Sequence, residues 1–162
     1  MTESSSQLLS SRIDCKQAAI DLILMANESV YLITQKLEPE LYNDKAVHQH
    51  LVSLSTQNRK TDIRIIAHDT RSAASNGHYL INLAQRLPTF AQIRCTVTPV
   101  HKMFSESWLI VDNQHFLRIR NLAHYEANFE IDNRLGCKPL IETFVDIWEA
   151  SEPDQNTRRL SL

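Results

Sequence analysis

The chain has only two glycines, Gly77 and Gly136. That excludes a glycine-rich phosphate cradle, because neither GxGxxG nor a Walker-type loop can be drawn with two glycines so far apart. It has three cysteines, Cys15, Cys95 and Cys137, widely spaced and in no CxxC pair. They read as free thiols in a reducing compartment, not as a disulfide framework or a zinc site. No apolar run approaches the roughly 20 residues of a membrane span. The start, MTESSSQLLSS, lacks the basic and apolar stretches of a secretory leader. Cationic charge is also in short supply. With 17 Lys and Arg against 19 Asp and Glu, the net charge is −2. Such a surface has no general pull toward nucleic acid or anionic lipid. These absences point to the cytoplasm, with no membrane, cofactor or metal.

What is present is the composition of one compact domain: 162 residues, 43% hydrophobic and 22% charged. Residues 1–10 are polar and serine-rich and read as frayed, 11–150 as the domain, and 151–162 as a loosely packed polar tail. Ser11 and Asp14 stand in capping-box spacing before a helix whose apolar face is Ile13, Ile20, Ile23 and Leu24. Val30 to Ile33 reads as a strand buried on both faces. Asn43 or Asp44 caps a second helix, with Val47, Leu51 and Leu54 on one side.

Ile63, Ile65 and Ala67 alternate with Arg64, Ile66 and His68 in a further strand. A helix from Gly77 to Leu87 ends at Pro88, and Ile93, Cys95 and Val97 form another strand. This alternation predicts a mostly parallel central sheet with helices on both faces. SWLIVDN and HFLRIR then predict an antiparallel hairpin turning at Asn113–Gln114. ANFEID adds a strand. A helix from Pro139 to Ala150 buries Leu140, Phe144 and Trp148.

That order of parts resembles the phospholipase D-like fold. The resemblance spans residues 12 to about 150 and rests on the order and spacing of motifs. SWLIVD ends in Asp112, as the family's HxKxxxxD strand does. Asn128 and Glu130 stand in N-x-E spacing, and FVDIW (144–148) closes the unit. The chain is also similar to a bacterial family of uncharacterised single phospholipase D-like domains. With Asp112 as the family aspartate, Ser105 falls at the histidine position and Ser107 at the lysine position. The GSxN turn is replaced by RIRN, with Asn121 as its remnant. In active members the histidine attacks phosphorus and the lysine offsets phosphate charge. A serine without a base is a weak nucleophile and carries no positive charge.

The resemblance therefore implies a pseudoenzyme that binds a partner protein or a small anionic ligand. Because active members bring two units together, it also implies a homodimer. The expected ligand site joins His68, Asp69 and Arg71 beyond a strand end, His78 at a helix start, Ser105 and Ser107, and Asn128. Each has a plainer reading. Asp69 and Arg71 pair to fix a turn, and the serines are ordinary strand-edge residues. Arg118 and Arg120 either bind an anion or pair with Glu130. His101–Lys102 lies too early for the motif. The rival functions are a hydrolase or phosphoester-processing enzyme using His68, Asp69 or His101, and a nucleic-acid-binding module.

Overall fold

In the computed structural model, which describes residues 4–158, one eight-stranded sheet runs through the molecule. In chain order the elements are β1 (Ser5–Leu9), α1 (Arg12–Met25), β2 (Ser29–Thr34), α2 (Pro39–Tyr42), α3 (Lys45–Gln57) and β3 (Asp62–Ala67). Then come α4 (Arg71–Ser75), α5 (Tyr79–Arg86), β4 (Ala91–Cys95), α6 (Pro99–Lys102) and β5 (Ser107–Val111). β6 (His115–Asn121), β7 (Glu126–Ile131), α7 (Arg134–Glu149) and β8 (Glu152–Pro153) follow, and then a 3-10 turn at Gln155–Thr157. The strand order is β1-β7-β6-β5-β2-β3-β4-β8.

The expectation of a mostly parallel sheet is corrected in one respect. Only β2–β3 and β3–β4 are parallel. The other pairings, β1–β7, β7–β6, β6–β5, β5–β2 and β4–β8, are antiparallel. Helical crossovers force parallel neighbours, and they join only the first three core strands. Short turns join β5 to β6 and β6 to β7, and these allow only antiparallel pairing.

Helices cover both faces, unequally. One face packs Val30, Leu32, Ile63, Ile65, Leu109 and Val111 against α1, α3 and α5. The other packs Ile33, Ile66, Trp108, Ile110 and Phe116 against Phe144, Ile147 and Trp148 of α7. The hairpin forms as expected, and its turn is Asp112, Asn113 and Gln114, the first two at φ 54° and 55°. Asp and Asn tolerate this left-handed region better than other non-glycine residues.

Ser11 caps α1 by accepting from the Asp14 N–H at 3.1 Å. The buried face of α1 is Cys15, Ala18, Ala19, Leu22 and Ile23. Ile13 and Leu24 point outward instead, at 73% and 41% exposure. Small residues on the inward side let the helix lie close to the sheet, and that rotation leaves the larger Ile13 outside. Asp44 caps α3, while Asn43 accepts from the Tyr79 N–H. β4 ends at Cys95, leaving Val97 outside it. α7 starts at Arg134, earlier than Pro139, because the Asn133 side chain accepts from the Gly136 N–H. A Cβ at Gly136 would lie 2.6 Å from the Asn133 amide nitrogen, so any other residue there would require the capping side chain to shift.

Both ends depart from the sequence reading. Residues 5–9, expected to be frayed, form β1 on β7. Residues 151–158 are firmly held: β8 pairs with β4, and Asp154 is buried at 3% exposure. Its carboxylate accepts from Thr70 Oγ1 at 2.8 Å and from Cys95 Sγ at 3.0 Å. Composition cannot register these long-range partners. The expectations for residues 1–3 and 159–162 lie outside the described residues.

Candidate functional site

Strands β2, β3 and β4 end, and β5 begins, along one crest of the sheet, the usual place for ligands on such folds. Ser107 opens β5 there, and its register partner in β6 is Ile119. Its side chain points to the face of α1 and is wholly buried. Ser107 Oγ donates to the Ile33 carbonyl at 3.1 Å. Having one proton, it must accept from the Tyr42 hydroxyl, 2.5 Å away. Tyr42 is 1% exposed, and burial pushes its hydroxyl pKa well above the ordinary range. The position that the resemblance assigns to the family lysine is thus closed under a tyrosine.

The segment that carries Tyr42 is itself tightly determined. Leu37 is held at φ 57° with its side chain fully buried. Its N–H donates to Thr34 Oγ1 at 3.2 Å, and that hydroxyl donates to the Glu38 carboxylate. A buried leucine in this conformation costs about 1–3 kcal/mol and persists only where surrounding contacts enforce it.

Ser105 lies exposed on the loop between α6 and β5. The loop is clamped from below. His68 Nε2 donates to the Phe104 carbonyl at 2.7 Å, and Nδ1 meets Thr96 Oγ1 at 2.7 Å. Gln35 Nε2 donates to the carbonyls of Phe104 and Glu106 at 2.8 and 3.2 Å. Both nitrogens of His68 are therefore engaged within the fold, one by the loop and one by Thr96.

The remaining expected site residues are divided by the sheet. Asn128 pairs in register with Arg118, which pairs with Trp108, so all three face α7. Alternation from Ile66 puts His68 on that face too. Ser107 faces the opposite way. His78 lies with the helices on the Ser107 side, 2% exposed, its Nδ1 accepting from the Leu80 N–H at 3.1 Å. Burial lowers its pKa to about 4, against a weaker upward pull from the Leu37 backbone. Asp69 and Arg71 form an exposed bidentate pair, with Arg71 Nη2 at 2.8 Å and Nε at 3.1 Å from the carboxylate. Hydrogen bonds from Arg71 hold the Asp69 carboxyl down at about 2. The single crevice expected from the sequence is not assembled.

Arg118 pairs with Glu106, not with Glu130. Its Nε and Nη2 donate to the two carboxylate oxygens at 2.7 and 3.1 Å, and Trp108 Nε1 adds a third bond at 3.2 Å. Burial pushes the Glu106 carboxyl up, but the bonds from Arg118 and Trp108 outweigh it and leave the pKa lowered. Asp112 sits at the other end of the sheet. Its carboxylate accepts from the N–H groups of Asn27, Glu28 and Ser29 at 2.9, 2.9 and 3.0 Å. Asn121 folds back onto the N–H groups of Ala123 and His124. Sequence reasoning missed Gln35, Tyr42 and Glu106, and no local motif marks them.

Beside the clamped loop, Val97, Val100 and Met103 are 40%, 70% and 80% exposed. They make α6 and its flanks an apolar projection. Among the described residues no group of three or more His, Cys, Asp or Glu side chains is placed to hold a metal, and no helix is long and apolar enough to cross a membrane.

This architecture is the phospholipase D-like fold. Nuc, a phospholipase D family member from Salmonella typhimurium, aligns with a TM-score of 0.64 at 16% identity, over 97% of this chain and 100% of its own. NucT from Helicobacter pylori aligns with a TM-score of 0.62 at 12% identity, over 94% and 100%. An archaeal chromatin protein, TrmBL2, described as showing a novel mode of DNA binding, aligns with a TM-score of 0.67 at 14% identity. That match covers 92% of this chain and 54% of TrmBL2. No curated protein matches. Residues 11–160 match the family described as Domain of unknown function (DUF7931), and the chain belongs to that family.

Proposed function

We propose that the chain is a degenerate, non-catalytic phospholipase D-like module of the bacterial cytoplasm that acts by docking a protein partner, first of all a second copy of itself. The burial of Ser107 carries this reading. The side chain at the family's lysine position is sealed by Tyr42 and the Ile33 carbonyl and cannot meet a phosphate. Four charged side chains of the crest are paired with each other, in Asp69–Arg71 and Glu106–Arg118. That favours a protein partner over a small anionic ligand. The exposed Val97, Val100 and Met103 supply apolar surface beside it. The three free thiols support a reducing compartment.

Two measurements test the reading. Bis-p-nitrophenyl phosphate should not be turned over; hydrolysis that disappears in Ser105→Ala would refute the non-catalytic assignment. Light scattering should give twice the 18.7 kDa chain mass at micromolar concentration. A two-fold contact of at least about 1,000 Å² is the usual minimum for a specific pair. A mass of one chain, unchanged on concentration, would remove self-pairing.

A second reading, a nucleic-acid-binding module, draws support from the likeness to the chromatin protein. The net charge of −2 opposes it. A mobility shift with duplex DNA that weakens steeply with salt would favour it.

A further inference from the structure

The two edges of the sheet are built differently. β8 is two residues long and carries Glu152 and Pro153, a charge and a residue without an N–H. Both are standard protections of a sheet edge. β1 has none of them. Its sequence, SSQLL, is uncharged, lacks proline, and pairs with β7 in unbroken register over all five residues. Among the described residues no strand pairs with its far side, so a row of backbone N–H and C=O groups faces outward. Leu8 stands 84% exposed on the α7 side.

On the opposite side of the sheet, β1 and α1 enclose a groove of about 470 Å³. Its floor is Gln7, Leu9 and Phe129, and its wall carries Asp14 and Asp21. Among the described residues neither aspartate belongs to an ion pair. A strand added to β1 would send alternate side chains to the two faces. Those on the groove side would meet two carboxylates, and those on the other side would lie beside Leu8. A second β1 would bring its own carboxylates to the same place, so charge disfavours self-pairing there.

We propose that β1 is a docking edge for an extended segment of a partner protein in which basic side chains alternate with apolar ones. The added strand continues the sheet, its Lys or Arg side chains reach Asp14 and Asp21, and its apolar side chains cover Leu8. This mode of recognition draws affinity from main-chain hydrogen bonds and selectivity from alternate side chains. The site is separate from the crest and stands whether or not the chain self-pairs there.

The test uses the full chain and a capped, fluorescein-labelled six-residue peptide alternating lysine with valine. Saturable binding is expected by anisotropy, with none for the glutamate–valine analogue. The exposed double variant Asp14→Asn/Asp21→Asn should weaken binding roughly fivefold, the scale of two surface ion pairs. Hydrogen exchange of the amides of residues 5–9 should slow when the peptide is bound. Lack of saturable binding overturns the proposal. So does binding that leaves the β1 amides unprotected or that ignores the double variant.

Discussion

Tyr42 donates a 2.5 Å hydrogen bond to Ser107, and the two side chains are 1% and 0% exposed. A helix of four residues thereby locks the first residue of β5. Replacing Ser107 by lysine, the residue that the resemblance places there, would not rebuild a phosphate site. It would bury an ammonium where Ser107 now meets only a hydroxyl and a carbonyl. Ser107→Lys, alone or with Ser105→His, should destabilise the fold by at least about 3 kcal/mol and yield no phosphodiesterase activity. Tyr42→Phe should cost about 1 kcal/mol by removing one buried hydrogen bond. Urea unfolding measures both.

His78 makes stability depend on pH. Burial lowers its pKa from 6.5 to about 4 in the folded chain, so the unfolded chain binds the proton more readily. The stability from keeping it neutral is complete above about pH 6.5 and is lost as pH falls toward 4. The full loss is up to about 3 kcal/mol. His115 is lowered too, mainly by burial, and adds in the same direction. Thermal melts from pH 7.5 to 4 should show the decline, and His78→Asn should flatten much of it.

The thiols should be inert in the folded protein. Cys15 is pushed up to about 11, chiefly by burial and then by Asp14. Cys95 and Cys137 are pushed up to about 12, burial again being the largest cause. Thiolate is the reactive form. Iodoacetamide at pH 7.5 should leave all three unmodified, and should label all three in denaturant. Mass spectrometry distinguishes the outcomes.

Asp154 ties the segment after α7 to the sheet through Thr70 and Cys95. Asp154→Ala removes both bonds and leaves a buried hydroxyl short of its partner. The expected loss is about 2 kcal/mol in denaturant unfolding. No loss would mean that the segment after α7 contributes little.

The apolar projection beside the crest gives the test of assembly. Val100→Asp with Met103→Asp should shift the mass seen in light scattering from two chains to one. The melting temperature should be nearly unchanged, because both side chains are already exposed. A variant that still pairs would place the contact elsewhere.

Local pattern alone determined the existence of nearly every core strand and long helix here. Val30–Ile33 and Ile63–Ala67 are apolar runs of strand length, and Ser11 and Asp44 are caps that act within a single turn. Motif order was enough to indicate the phospholipase D-like fold, and counting back from Asp112 raised the expectation of serines at the histidine and lysine positions. Only tertiary structure decided which way those serines face, that Tyr42 closes over one of them, and that Glu106 rather than Glu130 takes Arg118. It also decided that the terminal segments join the sheet, since β1 is held by β7 from more than a hundred residues away and Asp154 by Thr70 and Cys95. The physical reason is range. Capping and periodicity act within a few residues, whereas the site is made of groups brought together across the sheet, and no composition or local spacing encodes those distances.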